Sequence, residues 1–174
     1  MKKLFIIPFA FLFASASAQN GTPNLKTLLL DQLKTTHNVQ EWFVPLNQSL
    51  AGLTFDQANW KDKDNHSVGE VATHLLFWNK QQLADFKGEK PETFDGDNKK
   101  TFADFTKESW ASIVKQEDEV LTELEKLIEN ATDAQLAKWA KNISHISTHN
   151  AYHTGQIIYI RKVQGSWDSE KGVK

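Results

Sequence analysis

Apolar residues recur at intervals of three and four along most of this chain, and nowhere do they alternate with polar ones over strand length. That periodicity points to an all-α fold. The first helical stretch runs from about Leu25 to Leu46, with Leu25, Leu28, Leu29, Leu33, Val39 and Phe43 in step. Pro23 stands at its entrance and Pro45 near its exit, where proline is tolerated or ends a helix. The second opens on Ser67-Val68-Gly69-Glu70, a capping box whose serine hydroxyl and glutamate carboxylate satisfy amides of the first turn. It continues through Val71, Leu75, Trp78 and Leu83 to Gly88. A loop from Glu89 to Lys100, rich in charge and turn residues, precedes a third stretch from about Thr101 to Glu129. Phe102, Phe105, Ile113, Val120, Leu124 and Leu127 share one face of it. Thr132 to Gln135 carries a second capping signal, opening a short helical turn through Trp139. The fourth long stretch spans Ile143 to Val163 and stops at Gly165. Four amphipathic helices without strands predict a four-helix bundle.

Residues 1–18 follow a different rule. Met1-Lys2-Lys3 leads an apolar run from Leu4 to Ala14, then Ser15-Ala16-Ser17-Ala18, the pattern of a Sec signal peptide with an A-x-A cleavage site. The run ends too early for a spanning helix, which needs about 20 apolar residues. The expected mature domain is residues 19–174, exported to a periplasm or secreted, with no membrane anchor. Its loss of Lys2 and Lys3 leaves 18 basic against 22 acidic residues, a formal charge of −4.

Composition removes several chemistries. The chain has no cysteine, which excludes disulfides, iron–sulfur clusters, thiolate zinc sites and a cysteine nucleophile. Basic residues form no block, and Arg161 is the sole arginine, so no nucleic-acid partner is expected. The acidic run through Glu117, Asp118, Glu119, Glu123 and Glu125 reads as a solvated helix face.

Three of the six histidines form a pattern. His145, His149 and His153 are spaced by four along one helix, and the last two fall on the apolar seam with Ile146, Ile157 and Ile160. His74 lies between Val71 and Trp78 on the inward face of the second helix. A single inward histidine is more often a hydrogen-bonded core residue. Two at i, i+4 with a third on a facing helix have the spacing of a metal site in a bundle core. His145 is expected at the polar rim or supporting a ligand from behind, while His37 and His66 look ordinary. Trp78 and Tyr152 are placed to wall a pocket, with ordinary packing as the simpler expectation. No general base stands out. Glu70 is expected to cap its own helix, Glu117 to face solvent, and Gln156 to orient a ligand or tie the helix pair together.

The run His145-x-x-x-His149-Asn150-Ala151-Tyr152-His153-Thr154-Gly155-Gln156-Ile157 resembles the H-x-x-x-H-x-x-x-H-x-G-Q-I signature of the DinB superfamily. Ser67 to Leu75 resembles that family's S-[VI]-x-E-x-x-x-H-[LIV] element, and the likeness extends over about residues 22–166. The resemblance implies an up-down-down-up four-helix bundle with a divalent cation held by His74, His149 and His153. The remaining coordination positions would be open to water or substrate. Zinc or nickel suits three imidazoles best. Known relatives include thiol-dependent S-transferases and isomerases, alongside proteins described as metal-dependent hydrolases. Two departures weigh against thiol transfer here: the leader, and Thr154 where many relatives carry arginine. The expected function is therefore metal-dependent hydrolysis or group transfer on an unknown small molecule, with a non-catalytic metal-binding or stress-related bundle as the alternative. A plain interaction bundle with packed histidines is the third reading. Homodimerisation is left open.

Overall fold

The computed structural model describes residues 24–172. The signal peptide expected at residues 1–18 lies outside them. Every regular element among the described residues is helical: α1 (Leu25–His37), α2 (Leu46–Leu50), α3 (Phe55–Asn59), α4 (Val68–Lys87), α5 (Lys107–Glu129) and α6 (Asp133–Gln164), with short 3-10 turns at Asn98–Thr101 and Ser169–Lys171. None of these helices is long and apolar enough to cross a membrane.

The four long helices form a closed ring in the spatial order α1, α6, α4, α5. Cross-helix partners fix their directions. Lys80 meets Gln116 and Lys87 meets Glu123, so α4 and α5 run the same way. His74 meets His149 while Phe86 stacks on Trp139, so α4 and α6 are antiparallel. Lys26 reaches the Glu129 carbonyl and His37 reaches Asp118, which makes α1 antiparallel to α5. The order is up-down-down-up. The parallel α4–α5 pair requires a long crossover, residues 88–106, and this segment lies across the N-terminal half of α4.

Local chemistry sets the boundaries. The Ser67 box forms as expected, with Glu70 Oε2 accepting from the Ser67 amide at 2.8 Å. Thr132 likewise caps α6 with Gln135. Gly88 and Gly165 end α4 and α6 in left-handed conformations at φ 73° and 79°.

Three expectations are corrected. The first helix ends at His37, not near Leu46: the chain breaks at Asn38, and Pro45, which disfavours helical backbone at Val44, instead becomes the N-cap of α2. Val39 and Phe43, beyond the break, lie exposed, and within α1 Leu25 and Leu28 face outward, Leu28 by 50%. The third helix starts at Lys107, because Thr106 caps it with Ser109 and leaves Phe102 and Phe105 in the crossover. The short turn and the fourth stretch are one 32-residue helix, since Ala140-Lys141-Asn142 contains nothing that breaks a helix.

One apolar cluster fills the ring, including Leu33, Leu75, Leu121, Leu124, Ile143 and Ile157, all fully buried. Gly69 lets the crossover close onto α4: a Cβ there would sit 2.0 Å from the Phe105 ring. Arg161, also buried, donates to the carbonyls of Ser49 (2.5 Å), Ala51 (3.3 Å) and Ser166 (2.9 Å), pinning α2 and the C-terminal segment to α6.

Candidate metal centre

His74 projects from the second turn of α4, and His149 and His153 from successive turns of α6. Their ligating nitrogens all lie within 4.8 Å of one another. His74 Nε2 and His149 Nε2 are 3.1 Å apart, and the His74 and His153 ring centroids 4.7 Å. His74 and His153 are buried and His149 is half-buried.

Hydrogen bonds behind two of the rings, His74 and His153, set their tautomers. Thr101 Oγ1 donates to the Asn98 carbonyl at 2.7 Å, so towards His74 Nδ1, 2.6 Å away, it accepts. His74 therefore carries its proton on Nδ1 and presents the Nε2 lone pair to the other histidines. His153 Nδ1 donates to Gln156 Oε1 at 2.7 Å, and Gln156 Nε2 donates in turn to the Tyr152 hydroxyl at 3.1 Å. His153 Nε2 is thereby left as an acceptor. Backing of this kind is what orients imidazoles towards a cation.

Electrostatics keep the trio neutral. Burial first, then the neighbouring imidazoles of His153, His149 and His66, lowers the His74 pKa to about 3. Burial and His153 bring His149 to about 4. His153 is lowered by burial and by His66, although its bond to Gln156 opposes the shift. At neutral pH all three offer lone pairs rather than charge, the state a cation requires. Among the described residues no carboxylate or sulfur joins them, so the donor set is three imidazole nitrogens. The residues present fit a metal ion.

The trio lies in the wall of a cavity of about 1300 Å³. Its aromatic lining includes Trp60, Trp78, Phe102, Tyr152 and Tyr159. Phe102 is the wedge of the site: its ring stacks on His74 at 4.0 Å and 7°, and on His66 at 4.0 Å and 6°. Trp78 is held by a bond from its indole N–H to Asn98 Oδ1, 3.2 Å.

Trp78 and Tyr152 thus face the cavity, and Tyr152 is 63% exposed rather than packed in a core. His145 is exposed on the rim. Thr154 is buried and is not among the lining residues. Glu70 caps α4 and pairs with Lys61 at 2.5 Å, which removes it as a free base.

Two histidines that looked ordinary are not. His66 joins the ring stack and lines the cavity. His37 is fully buried, with Nδ1 2.6 Å from Glu125 and Nε2 2.9 Å from Asp118. Burial lowers its pKa, but hydrogen bonds and charge from Glu125 and Asp118 outweigh this and hold it above the ordinary value.

Glu117 is the largest correction among the acidic residues. Its side chain is 0% exposed, bonded through Oε1 to Asn79 Nδ2 at 2.5 Å, and Asn79 Nδ2 also reaches Asn150 Oδ1 at 3.2 Å. Burial pushes its pKa up to about 7, against the opposing bond from Asn79 and the charge of His37. It faces inward because α5 turns that side to Asn79 on α4, a consequence of ring packing that the charge run conceals.

Thr101 has no signal of its own in helical periodicity and the spacing of Phe102 points to the wrong element, because the crossover brings both to His74 from outside the helix pattern. The Thr54-Phe55-Asp56-Gln57 box opening α3 did follow a readable pattern.

An up-down-down-up bundle with three convergent imidazoles from its second and fourth long helices defines a class of metal-binding helical protein. A family model described as DinB superfamily matches residues 45–157, which include all three histidines. The chain belongs to the DinB superfamily. No curated protein and no solved structure matches it.

Proposed function

We propose that His74, His149 and His153 hold a divalent cation, zinc or nickel, and that the protein uses it to hydrolyse or transfer a group on a small molecule bound in the cavity. The observation carrying this reading is the convergence of three neutral imidazoles at the wall of a large, partly aromatic cavity. A cation there would leave at least one coordination position open and lower the pKa of bound water towards about 7, and that of a bound thiol further still. The chain's own residues supply the rest. Thr101 and Gln156 fix the tautomers of His74 and His153. Phe102 closes one flank of His74 against solvent. Proton transfer falls to the imidazole and carboxylate groups of the lining outside the trio, His66, His145 and Asp62.

The leader pattern of residues 1–18 adds export to the proposal, with substrate met outside the cytoplasm. One preparation tests both parts. The full chain is expressed without a histidine tag and recovered from outside the cytoplasm, where its intact mass should start at Gln19. Loaded with zinc or nickel, it should hydrolyse simple aryl esters such as para-nitrophenyl acetate at least about tenfold faster than His153→Ala. Equal rates for the two would refute catalysis and leave the non-catalytic metal-binding reading.

A further inference from the structure

The walls of the cavity differ in kind from the centre they surround. Among the described lining residues there is no lysine or arginine, and Asp62 is the single carboxylate. Three cations next to lining or crossover residues are paired away from the cavity: Lys61 to Glu70, Lys100 to Asp95, Lys80 to Gln116. The polar lining is instead amide and imidazole, Asn98 and Gln156 among the amides. Aromatic rings stand on both helices that carry the histidines, Trp78 one turn beyond His74 and Tyr152 and Tyr159 along α6. Trp78 is braced by edge contacts with Phe77 at 5.2 Å and Phe94 at 5.1 Å, so its face is presented rather than free to swing.

A ligand entering this space meets one concentrated positive charge, at the trio when a cation is held, and no other. An anionic group placed at the centre is matched. A second anionic group elsewhere in the cavity would lose hydration without gaining a partner. An uncharged ring body meets aromatic faces and amide groups that accept or donate as required. The volume, about 1300 Å³, exceeds what a single small head group fills.

We infer that the cavity takes a small molecule with an uncharged aromatic body and a single metal-binding head, and discriminates against phosphorylated or dicarboxylate ligands. This rests on the metal reading above and assigns the substrate class of that same site.

Hydroxamates test it because the head is constant while the body varies. Binding of benzohydroxamate, acetohydroxamate and terephthalic acid monohydroxamate to the zinc-loaded protein is measured by calorimetry. Zinc content is measured on the same samples. Benzohydroxamate should bind at least about tenfold tighter than acetohydroxamate, and at least about fivefold tighter than the monohydroxamate with its distal carboxylate. Trp78→Ala, or Tyr159→Ser at an exposed position, should narrow the first ratio with zinc content unchanged. Retained zinc with no advantage for the ring, or with equal or tighter binding of the distal carboxylate, overturns the substrate class and leaves the metal reading standing. Failure to retain zinc at all overturns the metal reading, and this inference with it.

Discussion

His74, His149 and His153 are legible in the chain because each falls in step with apolar residues, so an inward imidazole stands where an aliphatic side chain would. Glu117 is not. It sits in a run of carboxylates that looks solvated, yet it is wholly buried beside Asn79. Its raised pKa has a consequence for stability. Between its ordinary value of 4.5 and about 7 the folded state binds more protons here than the unfolded state, so stability falls as pH rises through that window. His37 acts in the same sense at higher pH. Its pKa is raised in the fold, so its contribution is complete below 6.5 and is lost as pH climbs through the folded value. Glu117→Gln keeps the shape and removes the first titration. The variant should gain stability relative to wild type as pH rises from 5 to 8, by on the order of 2–3 kcal/mol, read from urea unfolding at the two pH values. A difference that does not change with pH would mean that Glu117 is charged in the fold throughout.

The existence of the long helices was readable from spacing and caps, while the short α2 and α3 were missed and helix ends were decided by contacts that spacing does not carry. Ser67 and Thr132 announce their helices because the capping residue and its partner are only three positions apart in the chain. The start of α5 misled because Phe102 and Phe105 happen to keep helical spacing with Ile113. They leave the helix to stack on His74 and to press against Gly69. This crossover, placed by the parallel run of α4 and α5, is the element that orients His74 within the centre, through Thr101 and Phe102. Gly69 is its seat. Gly69→Ala would force the Phe105 ring away from α4 and strain its packing on Phe55 and Trp110. The expected cost is about 1–3 kcal/mol, read as a lowered melting temperature. An unchanged melting temperature would show that the ring yields freely and that the crossover is not seated by this contact.

At the scale of the molecule, the up-down-down-up ring brings α4 and α6 side by side in opposite directions, which is why His74 meets two histidines some seventy-five residues further along the chain. Absence of cysteine limits the centre to nitrogen and oxygen donors, and the fold then supplies three nitrogens in one place. The most direct measurement is metal content. The untagged protein, purified without added chelator, is analysed for bound metals beside a His74→Ala/His149→Ala/His153→Ala variant whose helical circular dichroism confirms folding. About one equivalent of zinc or nickel in the wild type, lost from the folded variant, is the predicted result. Metal absent from the wild type even after incubation with zinc or nickel, or retained equally by the variant, would contradict the account.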